Sequence, residues 1–140
     1  MSQKITVQVE VNAPLEKVWE CFTSPEHVTQ WNHASDDWHS PRAENNLMVG
    51  GKFNYRMEAK DGSEGFDFEG MYEEVVPHQK IIYTMIGDDR RRVEEFFEEK
   101  DNHTHVTITF DAEETNPIEM QRGGWQSILD NFKKHVEQES

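Results

Sequence analysis

From Lys4 to Val11 the chain alternates: Ile5, Val7, Val9 and Val11 fall on one side, Thr6, Gln8 and Glu10 on the other. That period of two is the mark of a strand with one buried face. The period then lengthens. In "NAPLEKVWECFTSPEHVTQW", Leu15, Val18, Trp19 and Phe22 recur at helical spacing, and Pro14 suits a first turn. Ser24 and Pro25 restart the chain as N-cap and first residue of a second short helix, which ends near Trp31. The segment "NHASDDWHSPRAENNLMVGG" is polar and aperiodic, which predicts a long loop holding a short strand near residues 38–43.

Strand follows strand from Gly51 onward. "GKFNYRMEA" sets Phe53, Tyr55 and Met57 on one face; "FDFEGMYEEVV" does the same for Phe66, Phe68, Gly70 and Tyr72. "KIIYTMIG" is apolar throughout, and "THVTITFDA" alternates Val106, Ile108 and Phe110 against Thr107 and Thr109. "KDGSEG", "DDRR" and "DNH" supply the turns. "RVEEFFEEK" is ambiguous: Val93, Glu95 and Phe97 share one face, but Phe96 pulls the other way. Short turns between such strands imply an antiparallel meander.

The longest helix is predicted last, with Asn116 as N-cap, Pro117 in the first turn, and a stripe of Ile118, Trp125, Ile128, Leu129, Phe132 and Val136. Inside it stand Gly123 and Gly124, each costing ~0.5–1 kcal/mol relative to alanine. Gly123 points to solvent on a helical wheel. Gly124 sits at the stripe's edge, where it either admits a close neighbour or leaves space beneath the helix. The predicted fold is α+β: a curved antiparallel sheet of about six or seven strands wrapped around the C-terminal helix, with two short helices after the first strand closing one end.

Composition sharpens this picture. The 140 residues suit one domain spanning the chain. Aromatics are plentiful, with four Trp, eight Phe and three Tyr. Large flat rings between a curved sheet and one helix fill space unevenly, so an apolar ligand cavity is expected. Its lining is predicted to include Trp31, Trp38, Phe53, Tyr55, Phe68, Tyr83, Phe97, Trp125 and Leu129, with the Tyr hydroxyls orienting a ligand. The competing reading makes these rings ordinary core, with Gly124 serving close packing.

A formal net charge of −14 and a pI near 4.8 oppose binding to nucleic acid or to anionic membranes. The single cysteine, Cys21, permits no internal disulfide, which fits a reducing compartment. Its surroundings "VWECF" suggest a buried, inert thiol, a reactive one being the alternative. No apolar h-region opens the sequence and no apolar run is long enough to span a bilayer, so a cytoplasmic protein without membrane insertion is expected.

The ordered pieces "VNAPLEKVWECFTSPEHVTQW", "VGGKFNYRM", "FEGMYEEVVPHQKIIYTM", "THVTITF" and "GGWQSILDNFKKHV" resemble the SRPBCC superfamily over nearly the whole chain. These are the helix-grip proteins: START lipid-transfer domains, polyketide cyclases and the birch-pollen allergen group. The chain looks most like the branch related to activators of a heat-shock chaperone's ATPase, whose members carry a further domain. The resemblance implies a seven-stranded sheet gripping the last helix around a cavity. It implies no single reaction, since the fold carries transporters, cyclases and binders.

The expected function is therefore binding of a small hydrophobic or amphipathic molecule. One alternative is a cyclase- or hydrolase-type enzyme acting through His33, Asp36 or Glu95; another is a stand-alone modulator of a chaperone ATPase. A chaperone or a second copy of the chain stay open as partners. His33, Asp36, Asp37 and His39 cluster in sequence, but their spacing matches no familiar zinc pattern, and loop polarity is the simpler reading. Arg56 is expected outside. "DDRRR" at residues 88–92 reads as a solvated hairpin turn. No nucleophile motif and no phosphate-binding glycine loop occurs, so neither a metal nor a cofactor is expected.

Overall fold

The computed structural model describes residues 3–33, 35–86, 90–114 and 116–138. Strand β1 (Lys4–Val11) leads into helices α1 (Leu15–Thr23) and α2 (Pro25–Trp31). Strands β2 (Trp38–Asn45), β3 (Lys52–Ala59), β4 (Gly65–Val76), β5 (Lys80–Met85), β6 (Arg92–Lys100) and β7 (His103–Asp111) follow, then helix α3 (Ile118–Gln138). All neighbouring strands are antiparallel, in the order β1-β7-β6-β5-β4-β3-β2. This is the α+β helix-grip architecture, with the first and second strands at opposite edges of one seven-stranded sheet.

Local chemistry accounts for most boundaries. The β6–β7 hairpin turns through Asp101 and Asn102, at φ 53° and 66°. Two consecutive left-handed residues match the twist of the flanking strands, and Asp and Asn tolerate that conformation. Ser24 occupies the N-cap of α2 without a side-chain cap bond, so Pro25 at the first turn is what fits the sequence to a new helix there. Gln121 secures the entry to α3: its Oε1 accepts from the Glu113 backbone N–H at 2.9 Å, and its Nε2 donates to the Asn116 carbonyl at 2.7 Å. Within the segment expected to be a loop with a short strand near residues 38–43, strand β2 runs over eight residues and pairs along β3, with a register shift between His39 and Arg42. Its alternation is broken by that irregularity, which is why no period shows in the sequence. The turn expected at residues 88–92 lies partly outside the described residues.

The core forms where β1, β6 and β7 meet α1 and α3. Ile5, Val11, Val18, Val93, Val106, Phe110, Phe132 and Val136 are all fully buried there. Helix α3 packs on β1 at one edge of the sheet, and α2 packs on β2 at the other. From α3, Trp125 reaches across toward the inner face of β4 and meets Phe68 edge-on at 6.2 Å.

Candidate functional site

The space between that face and α3 is the site. A cavity of about 460 Å³ lies between the inner face of β3–β7 and helix α3, within the ~300–1,000 Å³ typical of small-molecule pockets. Phe53, Tyr55, Phe68, Tyr72, Tyr83 and Ile108 form the sheet wall; Trp125, Ile128 and Leu129 form the roof; Phe22, Trp31 and Asn32 close the helical end. Phe66 and Ile86, 48% and 42% exposed, mark the opening together with Asp67, Glu69 and Arg91.

Aromatic contacts hold the walls in place. Phe53 packs on Tyr55, Phe68, Tyr72 and Tyr83, with ring centroids 4.8–5.5 Å apart. Trp125 stacks on Phe110 at 4.0 Å and 15°, and turns its remaining surface to the cavity. Trp31 donates its indole N–H to the Cys21 carbonyl at 2.9 Å, which orients its ring against Phe22. Gly70, buried on β4, makes the packing possible: a Cβ there would stand 2.4 Å from the Phe53 ring and 3.0 Å from that of Tyr83.

Of the residues predicted to line the cavity, Trp31, Phe53, Tyr55, Phe68, Tyr83, Trp125 and Leu129 do so; Trp38 and Phe97 do not. Trp38 lies on β2 against the outlying ring of Phe66, 6.2 Å away. Phe97 is buried, but Trp19 and Phe22 of α1 cover it edge-on at 5.1 Å. Tyr72, expected to offer its hydroxyl to a ligand, also lines the cavity, as do Met57, Met85 and Ile108, which the sequence did not single out. Strand alternation, which sets each on the inner face, was the available signal. Gly124 is half-exposed and no heavy atom lies within 4 Å of a Cβ built on it or on Gly123. Close approach of another element is therefore not what these glycines serve.

The polar groups are few. Glu95 points inward, 6% exposed, and Phe96 points out, which resolves the ambiguity of that strand. Burial alone raises the Glu95 carboxyl from 4.5 to about 8, so it is largely neutral at pH 7 and able to donate a hydrogen bond. Burial first, and the nearby Glu95 charge further down the order, also raise the Tyr55, Tyr72 and Tyr83 phenols. Tyr55 is fixed by Asn45, whose Nδ2 donates to its hydroxyl at 3.1 Å and to the Thr23 carbonyl at 2.7 Å. At the helical end, Asn32 Nδ2 is buried with no hydrogen-bond partner among the described residues.

The other chemistry candidates stand elsewhere. His33 is half-buried outside the cavity lining; burial first, and then Lys60, lowers its pKa. Asp36 and Asp37 are exposed, and His39 lies 3.9 Å from Glu58. Of the three acid–base candidates only Glu95 faces the cavity. Arg56 lies on the outer face, where its Nε donates to Glu58 at 2.8 Å.

Residues 12–137 match the family model described as "Activator of Hsp90 ATPase homolog 1-like protein". The chain belongs to this family. It is thereby a member of the SRPBCC superfamily. Among solved structures, the AHSA1-like protein from Aeromonas hydrophila is 41% identical, over 96% of this chain and 92% of that one, with a TM-score of 0.89. Chr148 from Cytophaga hutchinsonii is 46% identical, over 97% and 93%, with a TM-score of 0.82. Protein NE0264 from Nitrosomonas europaea shares the fold at 18% identity, over 97% and 95%, with a TM-score of 0.83. No curated protein matches. Among the described residues, no helix of this AHSA1-like protein is long and apolar enough to cross a membrane.

Proposed function

We propose that this AHSA1-like protein binds a small, largely apolar molecule bearing a hydrogen-bond acceptor, held in the cavity between the sheet and α3. One observation carries the reading: a hollow of about 460 Å³ walled by aromatic rings, with a neutral, buried carboxyl at Glu95. An apolar wall rewards burial at roughly 25 cal/mol per Å², before the costs of association. A protonated Glu95 selects a carbonyl or hydroxyl oxygen, and Asn32 Nδ2 offers a second donor at the far end. Because the carboxyl is costly to ionise there, an anionic group facing it is disfavoured.

The test is a panel of fluorescent fatty acids and flavonoids titrated into the protein, read by tryptophan emission, with Trp125→Phe as the reporter control. Saturable binding that shifts emission, and loses most of that shift in Trp125→Phe, supports the proposal. No binding by any apolar probe refutes it.

The family's description favours a second reading, modulation of a chaperone ATPase. It predicts a changed turnover rate when the purified chaperone is mixed with this protein. An unchanged rate removes it.

A further inference from the structure

On the other side of α2 from the cavity, three helices bring together a thiol and two imidazoles. Cys21 of α1, His27 of α2 and His135 of α3 place one ligand atom each within 4.8 Å of the others. His27 Nδ1 and His135 Nε2 are 2.8 Å apart, with their rings edge-on at 64°. We propose that these three side chains bind a late first-row divalent metal ion of the zinc class, a role independent of the cavity.

The donor set carries the choice of ion. A thiolate with two imidazoles favours zinc-like ions and disfavours calcium and magnesium, which prefer oxygen. The geometry lies close to what such an ion needs. Tetrahedral coordination at ordinary bond lengths puts the two nitrogens about 3.3 Å apart and the sulfur about 3.6 Å from each. The nitrogens, 2.8 Å apart, must therefore part by about half an ångström, and the sulfur already lies within 4.8 Å of both. Each residue sits on a separate helix, so each side chain turns about its own bonds to adjust. Trp31 already ties α2 to the backbone at Cys21 through its indole N–H.

Access comes from a second hollow of about 300 Å³, lined by Pro14, Glu16, Lys17, Glu20, Cys21 and His27. It opens beside two of the three ligands and leaves room for water as a fourth, the open position seen in three-ligand zinc sites. Glu16 and Glu20 outnumber Lys17 along that approach, so its field favours a cation. The proton balance is simple. The Cys21 thiol releases its proton to solvent. The hydrogen shared between the two imidazoles moves to another nitrogen of its own ring, so that both facing nitrogens present lone pairs.

The competing explanation is a plain His–His hydrogen bond joining α2 to α3. Cobalt(II) distinguishes the two, because a thiolate ligand gives it an intense near-ultraviolet charge-transfer absorption that imidazoles alone do not. The full chain, tag-free and stripped with a chelator, is titrated with Co²⁺ and then with Zn²⁺. One Co²⁺ per chain with the thiolate band is expected, displaced by Zn²⁺. Cys21→Ser should abolish the band, and His27→Gln should weaken binding by at least about 10-fold to 100-fold. His103→Gln, on the distant β6–β7 hairpin, should change nothing. Cobalt bound without the thiolate band overturns the proposal, as does unchanged affinity in His27→Gln. Should Cys21→Ser fail to fold, the band in the parent protein and the His27→Gln affinity decide the matter. Apolar-probe binding should persist in His27→Gln, which keeps this test separate from that of the cavity.

Discussion

Substituting Glu95→Gln keeps the size of the side chain and its hydrogen-bonding ends but removes its titration. The ordinary carboxyl value is 4.5, and burial raises that of Glu95 to about 8. Below the lower value, folded and unfolded chains both carry the proton. Between the two values only the folded chain carries it, so the unfolded state binds fewer protons and stability falls as pH rises. The slope is ~1.4 kcal/mol per pH unit, giving a loss of ~3 kcal/mol by pH 7 and ~5 kcal/mol above pH 8. The Gln variant lacks this loss. Surface carboxylates titrate alike in both proteins and cancel in the difference. Urea unfolding from about pH 5 to about pH 8.5 measures it. The stability of Glu95→Gln relative to the parent should grow steadily with pH and level off above the folded-state value. A flat difference would mean that the carboxyl is ionised in the folded protein at neutral pH. The cavity would then hold an anion where a neutral donor is inferred, and the argument for an acceptor-bearing ligand would fail with it.

Two further substitutions probe the walls and the helix. Gly70→Ala forces a Cβ into the Phe53 ring; it should destabilise the fold by ~1–3 kcal/mol and weaken apolar-probe binding as the ring is pushed into the cavity. Unchanged melting and binding would contradict the packing described. Gly123→Ala and Gly124→Ala meet open space. Each should stabilise by ~0.5–1 kcal/mol, and together they should raise Tm by about 3–7 °C. A lower Tm in either variant would reveal a contact that their open surroundings do not suggest.

Periodicity fixes which residues share a face, and that much was readable in the chain. The alternation of β1 and β3, the helical stripes of α1 and α3, and the Asp101–Asn102 turn each follow from local rules that involve only near neighbours. The ordered motifs also made the helix-grip resemblance legible. Periodicity does not say which face is inside when both carry large apolar groups. Phe96 and Phe97 looked equivalent; packing of Trp19 and Phe22 against Phe97 chose between them, and so turned Glu95 inward. Nor does it say what covers a buried ring. Phe97 shares the inner face with cavity residues, yet α1 reaches it first.

The sequence by itself determined most of the elements, their order and, outside β2 and β6, their apolar faces, because those depend on backbone geometry and spacing along the chain. Only the tertiary structure decided that α3, packed on β1, stands off the inner face of β3–β5 with space between them. The cavity is the gap left by that placement, and a gap has no residue of its own to announce it. Likewise His27 and His135, 108 positions apart, meet only because α2 and α3 pack against each other. Long-range packing sets such meetings, and no local pattern encodes them.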